Sequence, residues 1–341
     1  MMRRRPLGGT GLEVSEISFG AGPVSGLMTG DELDRQTDVV ARAIALGINW
    51  FDTAAGYGAG RSESCLGAAL AAVDPAGTAH VATKVRLDLA RAESIPAQIR
   101  RSFAASLGRL RRPRVTLIQL HNSITARRND EPTSVTPDDI LGPGGVLESF
   151  EELRSEGLVG HLGLTGIGDP ESLREVLRSG AFATIQAPVH LLNPSALVDA
   201  PRGFREPDYG GFLREAHRRK MGIFAIRVFA GGALLDAPPS AHTLKTPFFP
   251  AALYERDRRR AAALARALPD FPPAAASLRF VLSQPEAASA ILGFGDVAHV
   301  DEAARIAEQG PWSPAELARL ADCVDALVRD SPAGDSQAQP L

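Results

Sequence analysis

Four side chains in this sequence have the chemistry to pass a proton among themselves: Asp52, Tyr57, Lys84 and His121. Asp52 closes the apolar run "INWFD", and Tyr57 follows five positions later in "TAAGYGAG", between Gly56 and Gly58. Lys84 sits near the end of "HVATKV", and His121 ends "VTLIQLH". Singly, most have a plain explanation. Asp52 can cap the next turn, Tyr57 can be a half-buried surface ring, and His121 a satisfied core histidine. Lys84 resists such a reading, because an ammonium among apolar residues must be desolvated or find a carboxylate. Together the four form a relay. A phenol, with a reference pKa of about 10, is a poor acid or base at neutral pH. A nearby ammonium stabilises the phenolate, and Asp52 paired with Lys84 keeps the lysine charged and aimed. His121 then orients a substrate oxygen between Tyr57 and a hydride donor. The glycines flanking Tyr57 free the backbone to place its ring. His80, His161, His190, His217, His242 and His299 read as structural or surface residues.

Eight apolar, β-branched runs supply elements to carry these groups: "EISFGA" (16–21), "INWFDTA" (48–54), "HVATKV" (80–85), "VTLIQLH" (115–121), "VGHLGLTG" (159–166), "TIQAPVH" (184–190), "GIFAIRV" (222–228) and "SAILGF" (289–294). Segments with helical spacing separate them, such as "SIPAQIRRSFAASLGRL" and "DPESLREVLRSG". Asp31 and Ser94 suit N-caps, Asp169-Pro170 puts proline at a first helical position, and Gly47, Gly157 and Gly180 suit C-terminal caps. The runs are continuous rather than alternating, as in strands buried on both faces, so the sheet is expected to be parallel. Eight β/α units predict an α/β fold of the (β/α)8 TIM-barrel type, whose C-terminal strand ends converge on one mouth. "GGTG" at 8–11 reads as the turn of an N-terminal β-hairpin. A doubly wound sheet is disfavoured, because no GxGxxG follows the first strand. We expect one barrel over 1–329 and a disordered tail over 330–341. The long stretches 122–144 and 229–253 would form loops of the C-terminal face that select substrate.

The 341 residues carry a net charge of -3, with 44% apolar and 23% charged residues. That balance offers no field for nucleic acid or an anionic membrane. Cys65 and Cys323 do not make a disulfide framework, no apolar stretch follows "MMRRRPLGG" as in a signal peptide, and no run approaches the ~20 residues of a membrane helix. These features predict a soluble, cytoplasmic chain. No metal site is expected, and the oligomeric state is left open.

"FDTAAGYGAGRSESCLGAAL" is very similar to the signature stretch of the aldo-keto reductase superfamily. "LGGTGLEVSEISFGAG", "TKV", "LIQLH", "GLTG", "GGALL" and "SLRFVLSQPEAASAILGF" resemble that family in its order and at about its spacings, over roughly residues 5 to 310. The resemblance implies the same barrel, binding NADP(H) or NAD(H) without a Rossmann domain, and acting on a small carbonyl or alcohol. It implies a tetrad of Asp52, Tyr57, Lys84 and His121, with Tyr57 as general acid in reduction and general base in oxidation. It also sets Gly20 and Ala21 beside the cofactor.

The chain departs from the family pattern in places. Where many relatives carry Ser-Asn for the nicotinamide carboxamide, this chain has Thr165-Gly166. Gln186 matches the other amide-binding position, or is a glutamine satisfied by backbone. Arg227 replaces a stacking tyrosine; its guanidinium either stacks on the ring or faces a substrate carboxylate or phosphate. Amides around Gly231 and Gly232 would approach the pyrophosphate. After the eighth strand the chain reads "GFGDVAHVDEA": Gly293, Phe294 and Asp296, with His299 where an arginine is common. Asp296 would oppose a 2'-phosphate and accept from a free 2'-hydroxyl, so this loop leans to NAD(H), while also suiting a helix N-cap. The expected activity is reversible hydride transfer between nicotinamide and an aldehyde, ketone or sugar-type alcohol. Two alternatives are a Schiff-base aldolase using Lys84 and a non-catalytic nicotinamide-binding sensor subunit.

Overall fold

The computed structural model describes residues 2–200, 204, 206–245 and 251–329. The chain opens with a hairpin, β1 (Arg4–Pro6) against β2 (Glu13–Ser15). The barrel strands follow: β3 (Ile17–Gly20), β4 (Trp50–Asp52), β5 (His80–Val85), β6 (Val115–Leu120), β7 (Val159–Thr165), β8 (Thr184–Pro188), β9 (Gly222–Ile226) and β10 (Ala287–Gly293). They pair in parallel, in chain order, and β10 closes on β3. Helices α1 (Leu33–Ala45), α2 (Arg61–Val73), α3 (Ile95–Leu110), α4 (Pro137–Leu141), α5 (Val146–Ser155) and α6 (Pro170–Arg178) cover the first part of the ring. Then come α7 (Leu213–Arg218), α8 (Ala251–Ala267), α9 (Pro273–Leu282), α10 (Val297–Glu308) and α11 (Pro314–Arg329). This is the (β/α)8 TIM barrel with its N-terminal hairpin.

Strand alternation sorts the side chains. Phe51, Val81, Val85, Ile118 and Leu120 point outward and pack with Val39, Leu66, Phe103, Phe150 and Val176 of the helices. Each such fully buried side chain contributes about 1.5–3 kcal/mol. Trp50, Ala82, Leu117 and Phe224 point inward and fill the lower barrel, where Leu7 and Val14 of the hairpin join them. The Trp50 and Phe224 rings lie 4.8 Å apart. The hairpin seats tightly: a Cβ added at Gly222 would lie 2.5 Å from Leu7 Cδ1. Two residues further along β4, β5 and β6 the inward positions become Asp52, Lys84 and Gln119, and Gln186 of β8 joins them in a polar layer above the apolar floor.

The helix caps expected from the sequence form, with one exception. Ser94 caps α3, Asp169 caps α6 ahead of Pro170, and Gly47, Gly157 and Gly180 adopt left-handed φ just past their helices. Asp31 does not cap α1. Glu32 holds that position without a side-chain bond, and the Asp31 carboxylate instead pairs with Arg61 at the start of α2. Within 229–253, two 3-10 turns span Ala230–Leu235 and Thr243–Lys245. In α8, buried Tyr254 donates to the Ala237 carbonyl at 2.8 Å. Residues 246–250 of the aromatic stretch 244–254 and the tail 330–341 lie outside the described residues. Among the described residues no helix is long and apolar enough to cross a membrane.

Gly163 of β7 leaves the room that Gln119 occupies: a Cβ there would overlap the Thr184 hydroxyl and lie 3.1 Å from Gln119 Cγ. Gly163→Ala is expected to lower stability by about 1–3 kcal/mol, read as a fall in Tm. An unchanged Tm would show slack in this layer.

Candidate active site

Asp52 is the hub of the polar layer. Lys84 Nζ donates to one carboxylate oxygen. The other accepts from Gln119 Nε2 at 3.2 Å and from Gln186 Nε2. The two remaining Lys84 protons go to the Thr53 carbonyl at 2.9 Å and towards the Tyr57 hydroxyl at 3.5 Å. All three ammonium donors therefore have a partner. Lys84 is 1% exposed and Asp52 3%, so each would be a costly isolated charge. Burial alone would lower the Lys84 pKa, but Asp52 and then Tyr57 outweigh it and hold the value above the ordinary one. Lys84 is charged throughout the neutral range.

Tyr57 opens a tight turn in which Gly58, Ala59 and Gly60 have φ of 58, 54 and 92°. Of the two flanking glycines only Gly58 needs to be glycine: its φ is left-handed, and a Cβ would come 2.9 Å from Thr29 Cγ2. Gly56 is ordinary helical backbone at φ -78° with open space around it. The far end of the turn is pinned. Ser62 Oγ donates to the Ala21 carbonyl at 2.6 Å and lies 2.8 Å from Thr53 Oγ1. Fully buried Glu63 accepts from Thr83 of β5 and, at 2.7 Å, from Arg109 Nε of α3. These bonds tie α2, and with it Tyr57, to the strands bearing Asp52 and Lys84.

The His121 ring stands edge-on to Tyr57, centroids 5.4 Å apart at 82°. Its Nδ1 is buried without a hydrogen-bond partner. Burial, then the charges of Lys84 and Arg86, hold its pKa well below the ordinary histidine value. The ring is neutral at pH 7. The structure thus brings Asp52, Tyr57, Lys84 and His121 together, with Gln186 attached to the group.

The other candidates fall at the rim. Gly20 pairs with Asp52 and Gly293 in the barrel ladder, and a Cβ on it would lie 2.9 Å from Ile291 Cγ2. Ala21 is spent on Ser62 through its carbonyl. Thr165 neighbours Gln186 and has a buried hydroxyl with no partner. Arg227, just past β9, is half-buried with φ 58°. Burial lowers its pKa to about 9 against the opposing pull of Tyr209, Tyr57 and Asp257. Gly231 and Gly232 are left-handed at φ 72 and 110°, and the Gly232 amide is spent on the Phe229 carbonyl at 2.9 Å. Phe294 is buried 5.5 Å from the Phe19 ring. Asp296 and His299 stand apart from the tetrad: Asp296 caps α10 by accepting from the His299 amide at 3.1 Å.

Three further residues belong to the site's surroundings. Gln119 and Arg86 lie two positions from His121 and Lys84, so strand alternation alone would have put them on the same inward face. Glu131, after β6, is buried with neither carboxylate oxygen hydrogen-bonded; burial, and after it the charges of Glu206, Asp257 and Glu131, push the Tyr209 hydroxyl up to about 12 against the pull of Arg227. No sequence pattern marks Glu131.

The chain is a closed (β/α)8 barrel with a buried carboxylate–ammonium pair beneath a phenol and an imidazole. The model of the aldo/keto reductase family matches residues 16–325, and the chain belongs to that family, an NAD(P)H-dependent oxidoreductase. It is 26% identical over 309 residues to an uncharacterized oxidoreductase of Bacillus subtilis, YqkF, covering 88% of this chain and 90% of that one. Over 210 residues it is 32% identical to the NADH-specific methylglyoxal reductase of Escherichia coli, covering 56% of this chain and 60% of the relative. The fold is similar to that of an aldo-keto reductase from Bacillus halodurans in holo form, with a TM-score of 0.70, 21% identity and 96% of both chains covered. At that identity the structural likeness concerns the barrel alone.

Lys84→Met leaves Asp52 buried and unpaired, and should destabilise the chain by about 3–5 kcal/mol in urea unfolding. The double variant Asp52→Asn/Lys84→Met should recover part of that loss; strictly additive effects would mean the two side chains are not coupled. Because His121 is held neutral, a pH profile of the enzyme's activity should show no step from this ring at the ordinary histidine value near 6.5. A step near pH 6.5 that disappears in His121→Asn would contradict the neutral imidazole.

Proposed function

We propose that the chain carries out reversible hydride transfer with an aldehyde, a ketone or a sugar-type alcohol, with Tyr57 as general acid in reduction and general base in oxidation. Bound nicotinamide supplies or accepts the hydride. The observation that carries the reading is Lys84 Nζ at 3.5 Å from the Tyr57 hydroxyl, fixed from below by Asp52. When Tyr57 gives its proton to a carbonyl oxygen, the ammonium faces the negative charge left on the phenol oxygen. Neutral His121 orients the substrate oxygen by hydrogen bonding. Asp52 touches no substrate and acts through Lys84.

Buried polar atoms normally have partners, yet Thr165 Oγ1, His121 Nδ1 and Ser25 Oγ have none. A polar ligand in the mouth would satisfy such atoms, so the residues present fit a nicotinamide nucleotide. Thr165 would bond the carboxamide, with Gln186, anchored to Asp52 through Nε2, offering its oxygen to the same group. Arg227 would cover the nicotinamide ring or meet a substrate anion. With Gly232 engaged, Gly231 is the amide of that pair left for the pyrophosphate, and Gly20, Ala21, Gly293 and Phe294 would form the wall. Asp296 and His299 flank the adenosine end without a lysine or arginine in "GFGDVAHVDEA", which favours NAD(H) over NADP(H). The name of the Escherichia coli relative, an NADH-specific enzyme, points the same way. A Schiff-base lysine must shed its proton to attack a carbonyl, and Lys84, held charged by three partners, is set against that chemistry.

Tyr57→Phe should lower turnover by about 10²–10⁴-fold while fluorescence titration finds NADH and NADPH affinities close to those of the wild type. Retained turnover would remove Tyr57 from its role.

A further inference from the structure

β5 turns Ala82 and Lys84 to the barrel axis and Val81, Thr83 and Val85 outward. Arg86 is the next inward position, roughly 7 Å further along the strand direction at ~3.3 Å per residue. That places it at the mouth, above Lys84. Its Nη2 donates to the His121 carbonyl at 3.0 Å, and its Nη1 to Thr133 Oγ1 at 3.2 Å. Both acceptors are neutral. Nearby arginines are neutralised by acids: Arg91 by Asp88, Arg127 by Asp130 and Arg128 by Asp139. Arg86 has no carboxylate partner among the described residues, and its side chain is exposed. Lys84, by contrast, is already balanced by Asp52. A guanidinium without a carboxylate partner among the described residues thus stands beside the tetrad, bonded to the backbone of His121. It also interacts electrostatically with Tyr57, as Arg227 does from β9.

We propose that Arg86 determines substrate specificity by binding an anionic group, carboxylate or phosphate, on a carbonyl substrate held between Tyr57 and His121. The proposal rests on the reductase reading above and adds the substrate class to it. A guanidinium presents five donors in a planar fork, and two suffice for the bonds it makes within the chain. The rest match the paired oxygens of a carboxylate or phosphate. The anion takes no part in the bond changes. Reduction converts C=O to CH–OH with one hydride and one proton, and the anionic group leaves as it arrived. The competing role is mechanical: the same two bonds tie the loop after β6 to β5, and a brace would serve every substrate alike.

The experiment pairs each anionic carbonyl with a neutral twin: 4-oxobutanoate with its methyl ester, and glyceraldehyde 3-phosphate with glyceraldehyde. Initial rates with NADH and NADPH are measured for the wild type, Arg86→Met and Arg86→Lys. The wild type should prefer the anionic member of at least one pair, and the responding pair tells carboxylate from phosphate. In Arg86→Met the ratio of kcat/KM between anion and twin should fall about 10- to 100-fold, mainly through KM, with partial recovery in Arg86→Lys. Equal losses on both twins would make Arg86 a brace and overturn the proposal, as would a wild-type preference for neutral twins in both pairs. If the wild type turns over no carbonyl at all, the reductase reading itself fails. Titration calorimetry with 4-oxobutanoate and glyceraldehyde 3-phosphate then decides the anion site: heat lost in Arg86→Met supports it, and no binding to the wild type overturns it.

Discussion

Lys84 and Asp52 occupy a layer of the barrel that water does not reach, and neither charge could stay there without the other. Two unit charges drawn out of water are stable only when geometry and extra hydrogen bonds offset their lost hydration. Here Asp52 collects three donors from three strands, and Lys84 distributes three protons among a carboxylate, a carbonyl and a phenol. The pair thereby fixes the relative height of β4, β5, β6 and β8. A shift of one strand along its axis would break at least one of these bonds. The chemistry at the mouth inherits its accuracy from that registration.

The phenol is positioned by a different kind of constraint. Tyr57 sits on a turn with three successive left-handed residues, where a loop would ordinarily be loose. Anchoring comes from the segment that follows: Ser62 reaches two strand ends, and Glu63 joins β5 to α3 through Thr83 and Arg109. Glu63 and Ser62 touch no reacting group. They set where α2 begins, and so where the phenol hangs over Lys84.

Much of this was legible in the sequence because it is encoded locally. The continuous apolar runs gave the eight strands, with "HVATKV" matching β5 residue for residue. Desolvation pointed Lys84 towards a carboxylate, and Asp52, at a neighbouring strand end, was the candidate to supply it. Legibility stopped where a side chain answers to a distant neighbour. Asp31 has the composition of an N-cap but meets Arg61, and nothing near Gly56 demands the glycine that Gly58 requires. Gln119 and Arg86 carry an alternation signal that is easy to pass over beside stronger landmarks. Glu131 carries none, because its burial is decided by how a long loop folds over the barrel.

The hairpin and the Trp50–Phe224 layer beneath the ion pair make the barrel a cup rather than a pipe. Whatever reaches Tyr57 arrives and departs through one doorway. The far end of the barrel is thus closed by side chains that take no part in the polar layer above them.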